Sequence, residues 1–353
     1  MNKSKLLIIG PCLTMGGMER ASSTLANAIV SESVAVSFLT ILKKPHFFEL
    51  NKAIRLFEPN GFNSTKISFL KTLFFIRKSV YQTRPDCVLV FGKFYAALTC
   101  LALFGTSTRV VISERSSPFY KWPFSQRLVQ DIAFFCKQPH ACIAQTEQAA
   151  QVQRNYFRNE VVVIPNAVRE VTLYPETQRE LIILGIGRLG EYIKGMDLLI
   201  EAFGGISNPN WKLHLAGTTQ GGEHLIARVK ELKIEDRVVF LGAVKDLDSL
   251  FAKSSIFVIP SRSEGFPNAL IEAMAAGLAC ISFDFDSGPR EIITQGTDGL
   301  LVEKEKVDLL AQNIQLLQED ERYRNLLGQN AMGVRTRLAE DKIADSFLKV
   351  CLK

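Results

Sequence analysis

Four charged side chains in the second half of this 353-residue chain are the plainest candidates for chemistry. Arg188 follows Gly187, and Lys194 stands before Gly195. A guanidinium offers a planar fork to phosphate oxygens, and an ammonium offers a compact point charge. Glu264 lies in a loop with Gly265, Phe266, Pro267 and Asn268, and Glu272 comes eight residues later. Acids close to a helix amino terminus also stabilise its dipole, so a structural reading of both stands beside a chemical one. Surface charges unrelated to any ligand are the corresponding alternative for the two cations.

The elements around these residues decide what they can face. Ile256 to Ile259 is a short apolar run closed by Pro260, which predicts a buried parallel strand. Ala269 to Ala276 predicts a helix, and Leu278 to Phe283 the next strand. Strand, loop, helix and strand make a βαβ unit, whose ligands sit outside the carboxyl ends of the strands. The backbone N–H groups at that helix start favour an anion, most simply a phosphate. Leu181 to Ile186 predicts another strand, and Met196 to Phe203 a helix. Gly185, Gly187 and Gly190 spell G-x-G-x-x-G, but Arg188, Glu191, Tyr192 and Lys194 occupy positions where a dinucleotide fold needs small residues.

The run from Pro260-Ser261 through Glu264-Gly265-Phe266-Pro267 and Glu272-Ala273 to Gly288-Pro289-Arg290-Glu291 resembles the donor site of retaining nucleotide-sugar glycosyltransferases. More narrowly it is similar to the family 4 group, with two Rossmann-like parallel-sheet lobes (GT-B) facing across a cleft. Ala279 departs from the pattern, where proline is frequent. The resemblance implies that Glu264 contacts the donor sugar and Glu272 the ribose hydroxyls. It implies that Arg188 and Lys194 bind the diphosphate and stabilise the leaving nucleoside diphosphate, although four residues separate Leu189 from Lys194, one more than is frequent. Gly16 and Gly17, within Gly-Gly-x-Glu-Arg, would approach the diphosphate, and the turn at Val244 would hold the nucleobase. The reading expects neither a metal nor another cofactor, and no Asp-x-Asp site to hold one.

The first half holds the expected acceptor side. Strand Arg109 to Ile112 runs into Ser113-Glu114-Arg115, and Phe119, Tyr120, Trp122 and Phe124 surround Lys121. These aromatics either stack on sugars, sit at a lipid interface or fill a gap in the core. Asn166, in Pro165-Asn166-Ala167-Val168, also follows the family pattern. None of the four histidines is expected to act as a general base. Lys66 to Tyr81 reads as a basic amphipathic helix, either lying on anionic lipid or packed on the core with a solvated edge.

Composition sets the frame. Residues 1–170 hold 21 Lys and Arg against 10 Asp and Glu, while residues 171–353 hold 21 against 26. A basic first half fits an anionic partner such as a membrane leaflet or a lipid pyrophosphate, and no motif points to nucleic acid. Seven cysteines without a C-x-x-C pair fit reduced thiols and a cytoplasmic setting. The family resemblance and the basic first half add the expectation of work at the inner face of the plasma membrane. Leu6 to Ile9 reads as a first strand, and no run of 18 apolar residues occurs. The expected division is 1–170 for the acceptor, 177–335 for the donor, and 336–353 as a helix returning to the first lobe. The resemblance implies a reaction that moves a hexose or N-acetylhexosamine from a nucleoside-diphosphate sugar, expected to be a UDP-sugar, to a glycan or polyprenyl-pyrophosphate-linked acceptor. A GT-B epimerase or a non-catalytic binding subunit is the alternative.

Overall fold

The computed structural model describes residues 3–117 and 120–353, and the chain divides into two compact units. One comprises residues 1–167 with 340–353, the other residues 168–339.

The first unit runs β1 Ser4–Gly10, α1 Gly17–Ile29, β2 Val34–Thr40, β3 Arg55–Phe57, α2 Phe69–Thr83 and β4 Cys87–Phe91. It continues with α3 Lys93–Ala102, β5 Arg109–Ser113, α4 Phe124–Cys136, β6 Ala141–Ala144, α5 Glu147–Arg154 and β7 Glu160–Val163. The seven strands form one sheet in the order β3-β2-β1-β4-β5-β6-β7. Successive strand residues point to opposite faces, so Leu6 and Ile8 join one core cluster while Leu7 and Ile9 join the other. Helices cover both faces, which explains why β4 is buried at every residue.

The second unit runs β8 Ile182–Ile186, α6 Met196–Gly204, β9 Lys212–Ala216, α7 Glu223–Glu231, β10 Val238–Gly242, α8 Leu247–Lys253 and β11 Ile256–Ile259. Then come α9 Asn268–Ala275, β12 Ala279–Asp284, α10 Pro289–Ile292, β13 Leu300–Glu303, α11 Val307–Glu319, α12 Glu321–Ala331 and α13 Val334–Arg337. Its sheet order is β10-β9-β8-β11-β12-β13, and the pairings are parallel. Chain order therefore reverses between β8 and β11, the switch point outside whose carboxyl edge a crevice must open.

The last helix, α14 Glu340–Cys351, belongs to the first unit. Ile343, Ala344, Phe347 and Val350 enter the core beside α1, and Arg109 donates to the carbonyls of Val350 (3.1 Å) and Lys353 (3.2 Å). The expected basic helix is α2, but its apolar residues divide between two faces. Ile76 and Val80 are buried in the core, whereas Leu70 and Phe74 point to solvent, so the single apolar face expected for this stretch is divided in two.

Candidate active site

The loops that leave β8 and β11 meet at the switch point of the second unit. Lys194 ends a 3₁₀ turn, Tyr192–Lys194, and its Nζ lies 2.7 Å from Glu264 Oε1. Ser261 donates its hydroxyl to the same oxygen at 2.8 Å. Gly195 makes the approach possible. Its φ is +66°, and a Cβ there would stand 1.9 Å from the carbonyl oxygen of Pro260.

Arg262 fastens the two loops together. It donates to both oxygens of Asp197 (2.9 and 2.6 Å), to Glu305 (2.7 Å) and to the carbonyl of Tyr192 (2.6 Å). Its guanidinium stacks 3.7 Å from the Tyr192 ring centroid, and the backbone N–H of Arg262 donates to the Ile193 carbonyl at 2.8 Å. The hydrogen bond to Asp197 leads in raising its pKa above the ordinary arginine value. Burial opposes ionisation of Asp197, yet the bond from Arg262 holds that carboxyl below its usual range.

Arg188 leaves the same β8 loop but is not part of this cluster. It is 70% exposed and pairs with its neighbour Glu191 at 2.8 Å. Gly187 closes β8, and Gly265, Phe266, Pro267 and Asn268 lead into α9, with Phe266 buried in the core and Pro267 at the cap position. Val244 follows the carboxyl end of β10 and is half-buried against the core.

Glu272 sits on α9, buried, and accepts from Arg169 Nε at 3.0 Å. Arg169 also pairs with Asp248, whose other oxygen accepts from Thr172 N–H at 2.9 Å. Burial works against the Arg169 charge, but Asp248 and Glu272 together raise its pKa. Arg169 was not singled out from the sequence. The signal was there, as a cation directly after Pro165-Asn166-Ala167-Val168, although nothing local pairs it with an acid 103 positions away.

The chain contains two Asp-x-Asp triplets, Asp246-Leu247-Asp248 and Asp284-Phe285-Asp286, which corrects the expectation that it has none. Each acid has a partner. Asp246 caps α8 through Ser249 N–H, Asp248 holds Arg169, Asp284 holds Arg290, and Asp286 lies 3.6 Å from Lys304. Among the described residues no group of three His, Cys, Asp or Glu side chains could hold a metal ion.

In the first unit, Gly16 precedes α1 and Gly17 opens it, and a Cβ on Gly17 would meet nothing within 4 Å. Glu114 is buried and accepts from the backbone N–H groups of Lys93 (2.7 Å), Arg115 (3.1 Å) and Ser116 (2.7 Å), joining the ends of β4 and β5. Arg115 donates to Asn166 and to Ser113 (2.7 Å) and lies over the rings of Phe91 and Phe347. Burial lowers its pKa, and Glu114 partly offsets that. Gln145 donates to Asn166 as well, at 2.8 Å. Tyr120 and Trp122 pack edge to face, 4.9 Å between centroids, with Tyr120 exposed. Phe119 lies outside the described residues.

Residues 15–170 match the family model described as Glycosyltransferase Family 4, and residues 173–333 match Glycosyl transferases group 1. The chain belongs to the family 4 glycosyltransferases. It is 27% identical over 339 residues to the GalNAc-alpha-(1->4)-GalNAc-alpha-(1->3)-diNAcBac-PP-undecaprenol alpha-1,4-N-acetyl-D-galactosaminyltransferase of Campylobacter jejuni, covering 93% of this chain and 92% of that one. It is 28% identical over 259 residues to the lipopolysaccharide 1,6-galactosyltransferase of Escherichia coli, covering 68% of each. Anabaena HepE, solved in complex with UDP, superposes with a TM-score of 0.79 at 16% identity, over 98% of both chains. The fold is GT-B.

Proposed function

We propose that this enzyme transfers a hexose or N-acetylhexosamine from a UDP-sugar to a glycan or polyprenyl-pyrophosphate-linked acceptor, with retention of anomeric configuration and without a metal. The observation that carries the reading is the Lys194–Glu264 pair at the switch point between β8 and β11. A cation and an acid held together where a ligand must enter suit a sugar bonded to a phosphate. The bond between the anomeric carbon and the diphosphate oxygen breaks as the acceptor oxygen bonds to the same face. The acceptor proton passes to the departing phosphate. Lys194 stabilises the negative charge that develops there, with Arg188 swinging in from its exposed position. Glu264 accepts from a sugar hydroxyl, and Glu272, steadied by Arg169, from the ribose.

The acceptor class rests on the likeness to transferases whose names specify undecaprenol-linked or lipopolysaccharide substrates, and on the basic first half of the chain. No helix among the described residues is long and apolar enough to cross a membrane. Contact with a lipid-borne acceptor at the cytoplasmic leaflet is part of the proposal and rests on the basic first half. A panel of nucleotide sugars tests the reading by thermal stabilisation, followed by transfer to undecaprenyl-pyrophosphate glycans with and without a chelator. Stabilisation by no nucleotide sugar, or turnover abolished by the chelator, refutes the corresponding part. Interconversion of UDP-sugars without any acceptor would identify an epimerase instead.

A further inference from the structure

We propose that α2 and α4 together form a lipid-docking face of the first unit, and that its partner is an anionic membrane leaflet. This deepens the reading of a membrane-borne acceptor and rests on that part of it alone. Both helices pack on one side of the seven-stranded sheet. Ile76 and Val80 of α2 join Ala133 and Phe134 of α4 in the cluster that receives Leu7, Ile9, Val88 and Val90. Between them α3 has no exposed residue, so the flanking helices supply the outer surface of this layer.

That surface is apolar where a solvated helix would be polar. On α4, Phe124 (80% exposed), Leu128 (48%), Ile132 (50%) and Phe135 (87%) recur every three or four residues and form one outward stripe. The opposite face of α4, with Gln130, Ala133 and Phe134, is already buried. On α2, Leu70 (76%) and Phe74 (70%) face outward, and Tyr81 continues their row. Beside them a groove of about 820 Å³ has Phe57, Phe62 and Phe75 in its walls with Lys43, Lys71 and Lys78. Scattered exposed apolar residues are ordinary, but two such rows on one layer are not.

Charge selects the partner. Residues 66–84 and 120–137, which contain the two helices, carry eight Lys and Arg side chains and a single acid, Asp131. That acid accepts a hydrogen bond from Tyr156 at 2.5 Å. A second copy would bring two such basic faces together and repel, whereas an anionic leaflet attracts the lysines while its acyl region takes the apolar stripe. Tyr120 and Trp122, just before α4, have the amphipathic character that favours the headgroup level.

The test is co-sedimentation of the full chain with phosphatidylcholine vesicles, with or without phosphatidylglycerol. The wild type should partition into anionic vesicles roughly tenfold better than into neutral ones, and less at high salt. Phe124→Ser, Leu128→Ser and Phe135→Ser combined should lower partitioning about tenfold or more. Lys71→Glu with Lys78→Glu should remove the preference for the anionic lipid. Both variants should keep the wild type's thermal stabilisation by nucleotide, which shows that they are folded. A fluorophore on Cys136, the exposed cysteine at the end of α4, should shift to the blue on anionic vesicles. Absence of wild-type binding, or a triple variant that binds as well as wild type, overturns the proposal. So does a triple variant that converts a dimer to a monomer while its vesicle binding is unchanged. A chain that binds vesicles but no nucleotide sugar supports this face and sinks the transferase reading alone.

Discussion

Replacing Lys194 by methionine removes a charge while keeping most of the side-chain length, and two separate consequences follow. The first is structural. Glu264 loses a partner at 2.7 Å in a place where both side chains are largely covered, and the Ser261 hydroxyl remains on the same oxygen. Leaving a part-buried carboxylate short of its cation costs about 1–3 kcal/mol. The second is catalytic. A preorganised group aimed at charge that develops only in the transition state contributes about 100- to 1,000-fold to kcat, or ~2.7–4 kcal/mol. Ground-state binding changes less, so kcat should fall much further than KM rises. Adding Glu264→Gln separates the two effects, because it removes the unpaired negative charge. Stability in urea should then recover, while turnover, followed by release of nucleoside diphosphate, should not. A Lys194→Met enzyme within about threefold of wild-type kcat would refute the reasoning. A double variant whose turnover recovers along with its stability would show that Lys194 merely holds the loops together.

Three further outcomes are expected. Gly195→Ala should destabilise the protein by about 2–4 kcal/mol in urea, since its φ is +66° and its Cβ would meet the Pro260 carbonyl at 1.9 Å. An unchanged midpoint would mean that the loops part at no cost. Acidification should weaken the second unit, because Asp197 and Asp248 are held below their ordinary pKa by Arg262 and Arg169 against the opposing effect of burial. Their contribution is complete above about pH 4 and is lost as pH falls through the lower folded values. Thermal melts from pH 7 to 3 should therefore be shallower in Arg262→Met, and a slope equal to wild type would count against this assignment.

Much of this architecture is legible in the linear text because parallel sheets covered on both faces need unbroken apolar strands. The run at Ile256 to Ile259 coincides with β11, while Leu6 to Ile9 and Leu278 to Phe283 fall within or across β1 and β12 with ends displaced by a residue or two. Glu264 and Glu272 could be singled out because an acid, Gly-Phe-Pro-Asn and a second acid on the following helix form a local pattern. The stripe on α4 could not be read in the same way. Phe124, Leu128, Ile132 and Phe135 have the spacing of a core face, and only the packing of Gln130, Ala133 and Phe134 shows that the core lies on the other side.

The sequence alone determined two parallel α/β units and the residue types a phosphorylated sugar would need, because strand periodicity and helix starts are local properties. The tertiary structure decided which charges meet. Lys194 reaches Glu264 because β8 lies beside β11 while β9 and β10 build outward from its other edge. Arg169 reaches Glu272 through a linker that carries no periodic signal. Sheet order arises from competition among distant apolar surfaces, so contacts across 70 or 103 positions exist only once the whole unit has packed.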